Sequence, residues 1–211
     1  MELSWFGHSC FRIKAREGVI LMDPPLKASG LNIGKQAADI VTISHDHPGH
    51  ANRDAAPGAR ILDRPGEYEV KSVLVNGIQT FHDSKQGAEW GKNVAFTVEV
   101  EGIRICHLGD IGHVPTADEL EDLGDIHILL VPVGGTTTVD AAQAAEIVTL
   151  LEPKVIVPMH YKVDGHREDL ATVDRFLKEM GASSAQPQAK LSYSKSGLPN
   201  EPKVEILEAR R

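Results

Sequence analysis

Apolar residues follow two different rhythms along the chain. In the first half they form short runs separated by turn residues, as strands do. Residues 9–14 and 18–22 predict a hairpin that turns at Arg16-Glu17-Gly18, and Asp23-Pro24-Pro25 ends its second arm because proline cannot donate to a ladder. Residues 28–35 carry Ser29, Gly30, Asn32 and Gly34 and read as loop. Ile40-Val41-Thr42-Ile43 is wholly β-branched and suits a strand buried on both faces. Further strands are predicted at 60–62, 68–75, 79–81, 94–100 and 103–108, with Asn76-Gly77 and Glu101-Gly102 as hairpin turns.

The second half alternates strand and helix. Residues 116–123 predict a short helix, with Thr116 as cap and Glu119 completing a capping box. Residues 126–133 and 155–158 read as buried strands. Between them, 140–151 carries Ala144, Ile147, Val148 and Leu151 on one helical face and stops before Pro153. A helix over 167–180, ended by Gly181, and strands over 190–194 and 203–207 complete the pattern. The alternation implies helices layered over sheet, an α/β fold.

With 211 residues the chain can bury one sizeable core, and no linker divides it, so 1–211 reads as a single domain. The net charge of −8 disfavours nucleic acid as a partner. No apolar stretch is long enough to span a membrane. The N-terminus has no secretory pattern, and Cys10 and Cys106 are far apart without metal-type spacing. Together these features predict a reducing, cytoplasmic setting. Oligomeric state is left open.

Chemistry concentrates where strands end. Ser44-His45-Asp46-His47-Pro48-Gly49-His50 follows the 40–43 strand, so three histidines fall within six residues on a loop bent by Pro48 and Gly49. Residues two apart on extended backbone share a side, which lets His45 and His47 converge while the turn carries His50 close by. Neutral imidazole is the commonest ligand for zinc and similar borderline metals. A solvated polar loop is the plainer account, and three histidines at this spacing outweigh it. His82-Asp83, His107 with Asp110, and His160 also lie beyond strand ends. A turn role for Asp110 after Gly109 competes with ligation on even terms, and His107 reads as a strand residue rather than a ligand.

The order His45, His47, Gly49, His50, then His82, then Gly109-Asp110, then His160 resembles the metallo-β-lactamase superfamily, whose signature is His-x-His-x-Asp-His. Gly7-His8-Ser9, Met22-Asp23-Pro24, Pro132-Val133-Gly134-Gly135 and Pro158-Met159-His160-Tyr161 resemble its branch of small hydrolases that includes ascorbate-6-phosphate lactonases. The resemblance implies a four-layered αββα sandwich with metals at one sheet edge. It implies that His45, His47 and His82 hold one ion, that His50 and His160 hold a second, and that Asp110 bridges them. His50 and Asp110 would thus sit at the catalytic centre. The departure is Gly49, where the family carries an Asp that ligates the second ion and orients water. Asp46, Glu67 and His8 are the candidate substitutes. Zinc is the first expectation, with manganese, iron or nickel as alternatives, in one or two ions.

The implied chemistry is attack of a metal-activated water on an ester, lactone or phosphoester-type small substrate. Asp23 could fix a ligand tautomer, and Gly134-Gly135 could bring backbone close to the site. Lys162, His166 and Arg167 could meet an anionic substrate group, although a solvated loop accounts for them more simply. A metal-binding or ligand-sensing protein without turnover, and a nuclease, are the rival readings.

Overall fold

The computed structural model describes residues 1–165 and 169–210. His166 and Arg167 lie outside the described residues, and the helix expected over 167–180 forms only over Asp174–Glu179, residues 169–173 being non-helical.

Two mixed sheets face each other. The first contains β1 (Glu2–Trp5), β2 (Phe11–Lys14), β3 (Val19–Met22), β4 (Ile40–Thr42) and β5 (Arg60–Leu62). The second contains β6 (Gly66–Val70), β7 (Val73–Phe81), β8 (Lys92–Val100), β9 (Ile103–His107), β10 (Ile128–Pro132) and β11 (Val155–Met159). Near the C-terminus come β12 (Pro187–Gln188), β13 (Leu191–Ser192), β14 (Lys203–Val204) and β15 (Ile206–Leu207). The first sheet runs β13-β1-β2-β3-β4-β5 and the second β14-β11-β10-β9-β8-β7-β6, while β12 and β15 pair with each other.

Alternation along the first sheet sorts its faces. Ile20, Met22 and Ile40 enter the core between the sheets. Leu21, Val41 and Ile43 turn to the other side, where Ala55 and Ala56 cover them. Among the described residues this outer cover is made of turns. The helices α1 (Ala117–Leu123) and α2 (Ala141–Leu151) pack on β7 and β10 of the second sheet, and α3 (Asp174–Glu179) packs on α2. The α/β sandwich is therefore present, with its outer layer on the first sheet non-helical. Among the described residues no helix is long and apolar enough to cross a membrane.

The capping box expected at Thr116 forms with Glu119 at α1, and the structure adds one at α2, Asp140 with Gln143. Other expectations change as well. Asn76-Gly77 is not a turn but the middle of β7. Gly77 is needed there because a Cβ would meet the Arg64 carbonyl oxygen at 2.7 Å and the Phe96 ring at 3.0 Å. The turn lies at Lys71-Ser72, both with positive φ, the geometry a two-residue hairpin needs despite the absent glycine. The strand expected over 203–207 splits at Glu205, and its two halves join different sheets. Finally, β1 forms from a segment whose pattern had not signalled a strand, zipped between β2 and β13.

Candidate metal centre

Strand direction brings the polar residues together. In the first sheet β1, β3 and β4 run the same way, and in the second β7, β9 and β11 do so. His8, Asp23, His45, His82, Asp110 and His160 all follow the carboxyl ends of these strands. That is where ligands collect in sheets with parallel strands.

Asp110 sits at the middle. Its Oδ2 lies 3.2 Å from Nε2 of His50, 3.3 Å from Nε2 of His82, 3.1 Å from Nε2 of His160 and 3.8 Å from Nε2 of His45. His8 Nε2 is 3.0 Å from His50 Nε2. Three overlapping groups have ligand atoms mutually within 4.8 Å: His8, His50, Asp110 and His160; His45, His47 and His50; and His45, His82 and Asp110. The six expected ligands and His8 thus gather in these groups, with His47 grouped with His45 and His50 and not with His82. Asp46 and Glu67 are exposed and belong to none of these groups among the described residues. Asp46 lies exposed in the bend that carries His45 and His47, and Glu67 lies on β6, an edge strand of the second sheet.

The surrounding hydrogen bonds fix tautomers. His50 Nδ1 donates to Asp23 Oδ2 at 2.8 Å, and His82 Nδ1 donates to the Thr137 carbonyl at 3.0 Å. The single proton of Ser44 Oγ goes to Asp23 Oδ2 at 2.5 Å, so Ser44 Oγ accepts from His45 Nδ1 at 2.9 Å. Each of these three rings therefore has its Nδ1 engaged outward and its Nε2 aimed inward. That is the form a metal requires, held by the kind of outer partner that orients metal-binding imidazoles.

The buried charges of the cluster act strongly on one another. Burial resists ionisation of Asp110, yet His160 and His50 hold its carboxyl well below the usual range. Burial also opposes a charge on His50, but Asp110 and Asp23 outweigh it and push its pKa up to about 10. Burial, followed by repulsion from His50, drives His45 down to about 3. Nε2 of His45 and Oδ1 of Asp110 are buried with no hydrogen-bond partner among the described residues. Leaving such atoms without partners costs free energy, and an ion would satisfy them. The donor set fits a borderline divalent metal.

Several supporting residues carried no sequence signal of their role. Asn93, buried at the start of β8, donates to Thr80 Oγ1 and the Leu108 carbonyl and accepts from Asp110 N at 3.0 Å. Gly109 has φ +58, and a Cβ there would meet Asn93 Oδ1 at 2.4 Å, so only glycine permits this turn into Asp110. His107 is not a ligand. Its Nε2 donates to the Ser9 carbonyl at 2.8 Å and its Nδ1 accepts from Gly109 N at 3.1 Å, tying the His8 loop to the Asp110 loop. Burial lowers its pKa, so it remains neutral. A buried Asn and a buried His on apolar strands were the only available clues.

A cleft of about 280 Å³ opens onto His47, His82 and Asp110 and is walled by Trp90, Thr136, Thr137 and Leu170. A larger groove of about 890 Å³, lined by Phe6, Leu31, Tyr161 and Leu177, contains none of the three clusters. Size therefore does not locate the chemistry. Lys162 borders that groove rather than the metal cleft.

Comparison with known proteins agrees with this geometry. Residues 2–160 match the beta-lactamase superfamily domain. A Thermotoga maritima protein of the metallo-beta-lactamase superfamily, named as a candidate Zn-dependent hydrolase, is 39% identical. It superposes with a TM-score of 0.81 over 98% of this chain and 97% of its own. A UPF0173 metal-dependent hydrolase from Thermoplasma volcanium is 29% identical, aligned over 76% of this chain and 83% of its own. A metallo hydrolase from Ignicoccus hospitalis, 21% identical with a TM-score of 0.66 over 100% and 96% of the two chains, shares the fold. A His/Asp cluster at the carboxyl edge of two facing sheets and a family match over three quarters of the chain lead to one assignment: this chain belongs to the beta-lactamase superfamily, among relatives named metal-dependent hydrolases.

Proposed function

We propose that the chain hydrolyses a small ester, lactone or phosphoester with a water activated at this centre. The observation that carries the reading is the single oxygen, Asp110 Oδ2, within 3.1 to 3.3 Å of three imidazole nitrogens at the floor of an open cleft. His45, His47 and His82 would hold one ion, His50 and His160 a second, and Asp110 would bridge them. Zinc suits this nitrogen-rich set best, with manganese, iron or nickel as alternatives.

When bound, such a metal polarises a carbonyl or phosphoryl oxygen and lowers the pKa of its water from about 15.7 towards about 7. The chain supplies orientation. Asp110 stays anionic, so its Oδ1 acts as an acceptor that aims a water rather than as an acid. Asp23 holds the His50 ring by its Nδ1 proton. Trp90 and Leu170 give the cleft an apolar wall, and Thr136 and Thr137 line it with polar groups. In this reading residues 1–211 form one hydrolase domain, since both halves furnish the centre. The buried free thiols of Cys10 and Cys106 suit a reducing compartment such as cytoplasm.

Metal analysis of the purified protein, with ester, lactone and phosphodiester panels, tests the reading. Bound transition metal that is lost, with activity, in His45→Ala and His47→Ala supports it. No tightly bound metal, or metal unaffected by either substitution, sinks it. The missing carboxylate at Gly49 favours one second reading, a metal-binding sensor without turnover. Metal bound without hydrolysis of any panel member would favour that reading.

A further inference from the structure

His8 lies outside the family's usual ligand pattern, yet it is fully buried within the cluster. Its Nε2 is 3.0 Å from Nε2 of His50, and its ring centroid is 4.2 Å from that of His160. The His50–Asp110 and His160–Asp110 separations are 3.2 and 3.1 Å. Two ligands each about 2.0–2.2 Å from a shared ion are separated by about 3 Å at right angles and slightly more at tetrahedral angles. Those three separations therefore match edges of one coordination polyhedron.

Backbone geometry holds His8 in place. It has φ +53, unusual for a residue with a side chain, and Gly7 before it has φ +96. The His8 carbonyl accepts from Trp5 Nε1 at 3.0 Å and from His160 N at 3.1 Å. Residues held in sparsely populated conformations concentrate at functional sites.

Gly49 supplies the independent observation. Its φ is not among the positive ones, so its backbone does not demand glycine. A Cβ there would meet His8 Nε2 at 2.8 Å and His8 Cδ2 at 3.0 Å. The His8 ring therefore occupies the space into which a side chain at position 49 would project. An aspartate at 49 would require the His8 ring to shift from this position.

We infer that His8 replaces the missing aspartate as a ligand of the second ion, completing a set with His50, His160 and Asp110. The inference rests on the two-ion reading above and extends it. Exchange of a carboxylate for an imidazole makes the set three nitrogens and one oxygen. Such a set prefers zinc, nickel or iron(II) over oxygen-seeking manganese or magnesium.

The test measures metal binding rather than turnover. His8→Gly removes the ring where the backbone conformation already suits glycine. Metal per chain is counted after dialysis, stepwise zinc affinity is measured against a chromophoric chelator, and circular dichroism checks folding. The expected result is two zinc ions in the wild type. In His8→Gly the second ion binds at least about 100-fold more weakly, because loss of a mere outer partner costs 10–100-fold. Adding Gly49→Asp to His8→Gly restores the second ion and shifts its preference towards manganese. Two ions held by His8→Gly with wild-type affinities would overturn the inference and leave the two-ion reading intact. A wild type that binds no second ion at all would overturn both.

Discussion

Oδ2 of Asp23 joins Nδ1 of His50 at 2.8 Å, and both side chains are wholly buried. The same carboxylate receives Ser44 N at 2.8 Å and Ser44 Oγ at 2.5 Å, so one anion orients the His50 ring directly and the His45 ring through Ser44. Asp23→Asn keeps the shape and tolerates φ +43, but it loses the charge that holds the Nδ1 proton. Zinc affinity is expected to fall 10–100-fold, which equilibrium dialysis will measure. Unchanged affinity would remove Asp23 from the positioning role.

Trp90 is 60% exposed, and its ring centroid is 6.3 Å from that of His82. An exposed indole beside a reactive centre is suited to contact with substrate. Trp90→Ala should raise KM for substrates with an aromatic or alkyl group while leaving kcat within about twofold. Stability should change by no more than about 0.5 kcal/mol, because little core is lost. Equal loss for apolar and polar substrates would argue against the contact.

Gly134 lies against the chain that carries His160. A Cβ at 134 would approach the His160 carbonyl oxygen to 2.0 Å, and backbone cannot yield as a side chain can. Gly134→Ala is expected to cost on the order of 1–3 kcal/mol in urea unfolding. It should also reduce metal content by displacing His160. A variant as stable as the wild type would disprove the close approach.

Chelation should destabilise the protein. An ion that binds only the native state, present at about 1,000 times its Kd, adds about 4 kcal/mol. Dialysis against a chelator should lower the Tm, and zinc should restore it. A Tm indifferent to chelator and zinc would mean that no ion is linked to folding.

Asp39 connects the two sheets, accepting from Lys71 Nζ at 2.6 Å and Val19 N at 2.9 Å. The Lys71 hydrogen bond, then the Val19 amide, lower its pKa from the usual carboxylate value. A depressed pKa contributes stability above the ordinary carboxylate range and loses it as pH falls through the folded-state value. Wild type should therefore exceed Asp39→Asn by under about 1 kcal/mol at pH 7, since the pair is near the surface. The gap should close below the ordinary Asp range. A gap that widens towards acid would reverse the sign.

Local chemistry made much of this protein legible in its sequence. The capping box at Thr116, the β-branched run at 40–43 and the spacing of His45, His47 and His50 are short-range signals whose physics acts within one element. Other features depended on which chains meet. Asn76-Gly77 looked like a turn because glycine permits turns, but Gly77 serves a close approach to Arg64 and Phe96 that no local pattern records. Likewise Gly49 read as an absent ligand until the fold brought His8, 41 positions earlier, into the space beside it. The sequence by itself determined which residues could bind a metal, because side-chain chemistry is local. Only the tertiary structure decided which of them share one centre, because strand direction and steric exclusion are properties of the packed chain.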